Sequence, residues 1–115
     1  MVLTLGTGFG TALFDQGRLC PHLELAHHPF RSGDTYEDQL GDKARKRLGS
    51  RHWTRRVRLA VDLLREIVHF DRLYVGGGNA RRLDGDLGED VEVVPNEAGL
   101  LGGIRLWDEA RPPGA

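Results

Sequence analysis

The chain has 115 residues, enough for one domain with a real core and too few for two. Its 16 Lys and Arg against 17 Asp and Glu leave no net field to gather nucleic acid or an anionic membrane, and no apolar segment has signal or membrane length. The single Cys20 cannot close an internal disulfide, so the chain reads as cytoplasmic.

Met1 enters directly into a strand with no cap or polar leader, as in a chain that begins inside a fold. The stretch Leu3 to Phe14, LTLGTGFGTALF, carries an apolar run into a Gly-Thr-Gly-Phe-Gly turn and another out of it. Gly6, Gly8 and Gly10 let the backbone approach a ligand closely, and Thr4, Thr7 and Thr11 are expected to place hydroxyls on one surface. The pattern resembles the Gly-rich turn of a dinucleotide-binding unit, but the run through Phe14 into Asp15-Gln16-Gly17 is a strand ending in a tight turn. It reads as a β-hairpin whose loop either holds a phosphate or merely uses its glycines to shape the turn. Arg18-Leu19-Cys20 is expected to add a third antiparallel strand to the same sheet before Pro21 interrupts it.

Residues 21 to 34 have no clean period and read as an irregular exposed loop, the kind of segment that often carries function. From Thr35 or Asp34 as N-cap, Tyr36, Leu40, Ala44 and Leu48 predict one helix stopped by Gly49. A second helix over His52 to His69 is marked by Trp53, Val57, Ala60, Val61, Leu64, Ile67 and Val68 at spacings of three and four. Lys43 to Arg58 carries eight Lys or Arg and no acid, either a solvated cationic face or a surface that attracts phosphate. Arg72 to Val75 is a short strand leading into Gly76-Gly77-Gly78-Asn79, and Val91 to Val94 is another, closed by Pro95. Asn96 is expected to cap a last helix, Glu97 to Trp107, ahead of a frayed tail, residues 110–115. His22, His27 and His28 have a spacing that could suit a metal, but no acid or Cys completes a set, so they read as loop histidines. The elements together predict an α/β domain on a mixed sheet with a β-hairpin meander and flanking helices.

Four phrases in order, LTLGTGFGTALF, PHLELAHHPF, LYVGGGN and VVPNEAGLLGGIRLW, resemble the C-terminal half of the ROK sugar kinases, most closely the polyphosphate glucokinase-like branch. The resemblance implies the C-terminal lobe of an actin-like, hexokinase-type (ribonuclease H-like) kinase fold over residues 1–109. It implies that Gly6, Thr7, Gly8 and Gly10 form the family's second phosphate loop, and that Gly76, Gly77, Gly78 and Asn79 lie near the nucleotide or polyphosphate. Glu24 and His27 match the family's sugar-contacting Glu-x-Gly-His motif, with Ala26 where the family has Gly. ATP or polyphosphate, with Mg2+, is the implied phosphoryl donor, and a small-molecule sugar the acceptor. The family's first phosphate loop and its catalytic Asp belong to the other lobe, so no catalytic residue is assigned here and the isolated chain is expected to be inactive. Expected partners are a second copy of the chain or an N-terminal lobe, with no nucleic acid and no membrane. The alternative is a non-catalytic module that binds sugar or phosphate, or pairs with a partner through a strand edge.

Overall fold

Leu3 and Leu5 are fully buried while Thr4 between them is exposed, the period-two alternation of a strand with one face on a core. This strand, β1 (Val2–Leu5), is central in a computed structural model that describes residues 1–21 and 24–94. β2 (Phe9–Ala12) pairs with it antiparallel, Leu5 opposite Phe9, so the expected hairpin is present and no helix begins at Gly10. Its register sets Thr11 opposite Leu3 and Gly10 opposite Thr4, which sends Thr4 and Thr11 to opposite faces of the sheet. The expectation of one hydroxyl surface is therefore corrected.

The third strand also differs. β3 (Phe14–Asp15) and β4 (Arg18–Leu19) pair with each other as a separate ribbon, so there is no three-stranded meander. Gln16 and Gly17, at φ of 52° and 76°, make a two-residue turn whose twist folds the chain back on β3 before it can reach β1. The segment read as irregular holds a second small ribbon, β5 (Pro29–Arg31) with β6 (Asp34–Thr35). Ser32 and Gly33 turn it in the same left-handed way, at φ of 53° and 80°.

Thr35 is the N-cap expected from sequence: its hydroxyl accepts from the Asp38 N–H, and the Asp38 carboxylate accepts from the Thr35 N–H, each at 3.1 Å. The single expected helix is two, α1 (Tyr36–Leu40) and α2 (Asp42–Leu48), broken at Gly41. α3 (Ser50–Val68) carries the long apolar stripe and starts two residues before its expected position. Trp53, Val57, Ala60, Val61 and Leu64 are fully buried and Val68 packs on the same core, but Ile67 is 61% exposed, so it lies off the stripe. Thr54, which no apolar count selects, is fully buried because its hydroxyl donates to the Ser50 carbonyl and accepts from the Asp84 N–H. The Trp53 indole N–H donates to the Leu40 carbonyl at 2.9 Å, tying α3 to the end of α1.

After α3, β7 (Leu73–Gly76) runs parallel to β1, and β8 (Val91–Val93) runs parallel to β7, giving the order β2-β1-β7-β8 among the described residues. The mixed sheet of the sequence reading is present. α1 and α3 close one core with Leu3, Leu5, Leu73 and Val75, while Val2, Tyr74 and Val94 gather on the other face. The expected helix Glu97 to Trp107 and the tail 110–115 lie outside the described residues.

Candidate functional site

Because β1 and β7 are parallel neighbours, both leave the sheet at the same end, where ligand crevices form in open α/β sheets. β1 passes into the turn Gly6-Thr7-Gly8, tightened by the Gly6 N–H donating to the Gly8 carbonyl at 3.1 Å. β7 ends at Gly76, which is buried, and passes into Gly77, Gly78 and Asn79. Gly77 has φ of 91° and lies directly on the backbone of Leu5, where any Cβ would stand within 2.9 Å of the Leu5 carbonyl carbon. The Asn79 N–H donates to the Leu5 carbonyl at 2.8 Å, and its side-chain amide donates to the Gly6 carbonyl at 3.2 Å and to Asp42 at 3.0 Å. The Gly6 turn and the Gly77 loop are thus fastened together at one sheet end.

The break between α1 and α2 is the third wall. Asp42 donates its N–H to the Thr7 carbonyl at 3.3 Å, and a Cβ on Gly41 would press on that same oxygen and on the Glu37 carbonyl. A continuous helix could not make this approach, which is why the four-residue spacing alone misses the break. The Asp42 carboxylate accepts from Asn79, Lys46 and Arg45, and these bonds hold its pKa at about 2. The lowered value sets a sign: the contact stabilises the fold above the ordinary carboxylate pKa and is lost as pH falls from about 4 toward 2. In acid titrations followed by circular dichroism, Asp42→Asn is expected to be less stable than the parent at neutral pH, with the gap closing toward pH 2. A gap that stays constant with pH would rule out the ionised contact.

The segment carrying Glu24 and His27 packs against the start of α1. The Ala26 carbonyl accepts from the Glu37 N–H at 3.0 Å and the His28 carbonyl from the Tyr36 N–H at 3.1 Å, leaving Glu24 and His27 exposed. Ala26 is buried and its backbone is not left-handed, so alanine in place of the family's glycine brings no backbone strain. Tyr36 is held between Phe9 and Phe30, with ring centroids 5.4 and 4.8 Å away, which fixes the residue that follows it. His27 lies near enough to Asp38 to reinforce the Thr35 hydrogen bonds that hold the Asp38 carboxyl below its usual pKa.

Glu37 joins the two halves of this surface. Its N–H is on Ala26, and its carboxylate occupies the space that a side chain on Gly8 would need. Sequence reasoning passed over it. The available signal was that the capping box employs Asp38 and leaves the neighbouring Glu37 without a helical duty. Gly10 is placed differently from Gly6 and Gly8: it lies within β2, where the absent side chain makes room for the Thr4 hydroxyl. Gly78 faces open space.

Mg2+ on a phosphoryl donor takes most of its ligands from phosphate and water and asks few carboxylates of a protein. Among the described residues no three His, Cys, Asp or Glu side chains cluster as metal ligands, and the Asp42 carboxylate is already held by Asn79, Arg45 and Lys46. What the loops offer an anion is backbone N–H groups and the Thr7 hydroxyl. A cavity of about 370 Å³ between the starts of β1 and β7, the end of α3 and the β3–β4 ribbon lies at the other end of the sheet and contains none of these residues. No helix among the described residues is long and apolar enough to cross a membrane.

The chain is similar to the crystal structure of an inorganic polyphosphate/ATP-glucomannokinase from Arthrobacter sp. strain KM, with a TM-score of 0.69 and 31% sequence identity over 92% of this chain. The match covers 46% of that protein, so the chain spans about half its length. No family profile and no curated protein matches the chain. The likeness relates the chain to a sugar kinase.

Proposed function

We propose that this chain is the C-terminal lobe of a ROK-type sugar kinase that moves a phosphoryl group from ATP or polyphosphate to a sugar hydroxyl. The observation that carries the proposal is the Asn79 tie between the Gly6 turn and the Gly77 loop at the ends of two parallel strands, in a chain 31% identical to a polyphosphate/ATP-glucomannokinase. In this reading the turn closed by the Gly6 N–H presents the Thr7 and Gly8 N–H groups and the Thr7 hydroxyl to the donor's phosphates, and Gly76 to Asn79 border the rest of the donor. Glu24 accepts from sugar hydroxyls, His27 orients beside it, and Glu37 stands where sugar and phosphate would meet. The general base comes from a complementary lobe, and the protein works in the cytoplasm.

A second reading, a binding module without catalysis, is favoured by Asp34, Asp38 and Asp42, whose carboxylates are all engaged within the fold. Calorimetric titration with glucose, ATP and polyphosphate tests the shared binding surface. Glu24→Ala with His27→Ala is expected to weaken glucose at least tenfold, about 1.4 kcal/mol, and to leave donor binding unchanged. Equal glucose binding by parent and variant would remove both residues from the sugar site.

A further inference from the structure

The run of cationic residues from Lys43 to Arg58 is sorted by the fold into two groups. Arg45 and Lys46 are tied to Asp42, Arg58 donates to the carbonyls of Asp84 and Asp86, and farther along α3 Arg65 is clamped to Asp62 and Asp90. These hold elements together. Arg31, Arg47, Arg51 and Arg55 make no ion pair among the described residues, and Arg56 donates to the side-chain oxygen of Gln39. The unpaired group is gathered in one place. A groove of about 250 Å³ is lined by Arg31, Leu48, His52, Arg55 and Arg56. It shares Leu48, His52 and Arg55 with a second concavity of about 450 Å³ that runs past Gly49 and Ser50 to Arg51.

Crowding guanidinium groups costs free energy in the empty protein, and the cost is felt: burial, then the charges of Arg31 and Arg47, lower the Arg56 pKa against the opposing pull of Asp34. A polyanion lying in the groove would reverse that cost. The overall charge of −1 means the attraction is local to this surface and does not arise from the whole chain.

We infer that the groove between the β5–β6 ribbon and the α2–α3 corner binds the body of a linear inorganic polyphosphate chain, outside the donor loop. Guanidinium groups match phosphate oxygens two at a time, and several spread along two joined concavities suit a repeating anion better than a single phosphate. A nucleic acid is disfavoured because no Phe, Tyr or Trp lines either concavity and Trp53 is fully buried, so bases would have His52 as their one ring to stack on. The geometry also gives a route to the cleft. α2 has seven residues, about 10 Å of helix, with Asp42 bonded to Thr7 at one end and Leu48 in the groove at the other. Lys43, Lys46 and Arg47 are exposed along that length. The choice of polyphosphate as the anion rests on the donor assigned under Proposed function.

The test compares the parent chain with Arg47→Gln/Arg51→Gln/Arg55→Gln, three exposed positions, by titration with long-chain polyphosphate, tripolyphosphate and single-stranded oligo(dT). The expected result is a tenfold or greater loss of long-chain affinity in the variant, with a shallower salt dependence and unchanged tripolyphosphate binding. Undiminished long-chain binding overturns the inference, as does oligo(dT) binding the parent as tightly as polyphosphate at equal phosphate concentration. A Gly8→Val variant separates the two readings: if it keeps its tripolyphosphate affinity while the arginine variant loses the long chain, the donor loop is wrong and the groove stands.

Discussion

Replacing Gly77 by alanine is expected to destabilise the fold by about 2 to 5 kcal/mol and to abolish phosphate binding at the Gly6 turn. Two costs add. The left-handed backbone at φ of 91° carries about 1 to 2 kcal/mol for a residue with a Cβ. The new methyl would also stand 2.8 Å from the Leu5 nitrogen and 2.9 Å from its carbonyl carbon, and overpacking of this kind typically costs about 1 to 3 kcal/mol. Leu5 cannot easily give way, since β1 is paired on both edges by β2 and β7. Against a total stability of about 5 to 15 kcal/mol the loss is large. Gly78→Ala supplies the control, because nothing lies within 4 Å of where its Cβ would stand and its backbone is not left-handed. Denaturant midpoints for the two variants read the difference directly, and an unshifted midpoint for Gly77→Ala would show that the loops are not in backbone contact.

The second large effect is kinetic. The purified 115-residue chain, given glucose with ATP or polyphosphate, is expected to stay at background turnover. A positioned general base typically contributes about 10² to 10⁴ in rate, and phosphoryl transfer depends on positioning and charge stabilisation for most of the remainder. The aspartates near the loops have other employment. Asp42 is held at a pKa of about 2, Asp38 completes the capping box, and Asp34 accepts from the Gln39 amide at 2.6 Å. Adding the N-terminal lobe of a related kinase is expected to restore turnover. Ordinary kinase rates from the chain alone, abolished by Glu37→Ala, would place the base within these residues and sink the half-enzyme reading.

The parts of this molecule that could be read from sequence are those whose causes are local. The Thr35 cap, the stripe from Trp53 to Leu64 and the Gly6 hairpin each follow from spacings within a few residues. The break at Gly41 follows instead from a carbonyl on Thr7, and Glu37 gains its place only when the chain folds Gly8 and Ala26 against it. The turn at Gln16 and Gly17 was legible while the separation of β3–β4 from the main sheet was not, and the β5–β6 ribbon was missed because Ser32 adopts left-handed backbone that its residue type does not announce. Ile67 fits the helical period but stays exposed while its neighbour Val68 packs on the core.

The tie between Asn79 and Gly6 joins residues 73 positions apart, and that separation dictates the order in which the molecule can assemble. The β1–β2 hairpin and the three helices need only nearby partners and can form early, whereas β7 must be captured across the whole crossover, a slow step by loop-closure entropy. Until that capture one edge of β1 is bare, a template for another chain. The Gly6 turn and the Gly77 loop are therefore organised last, and a refolding mixture held at high concentration is expected to lose chains to association through β1 before the Asn79 tie forms.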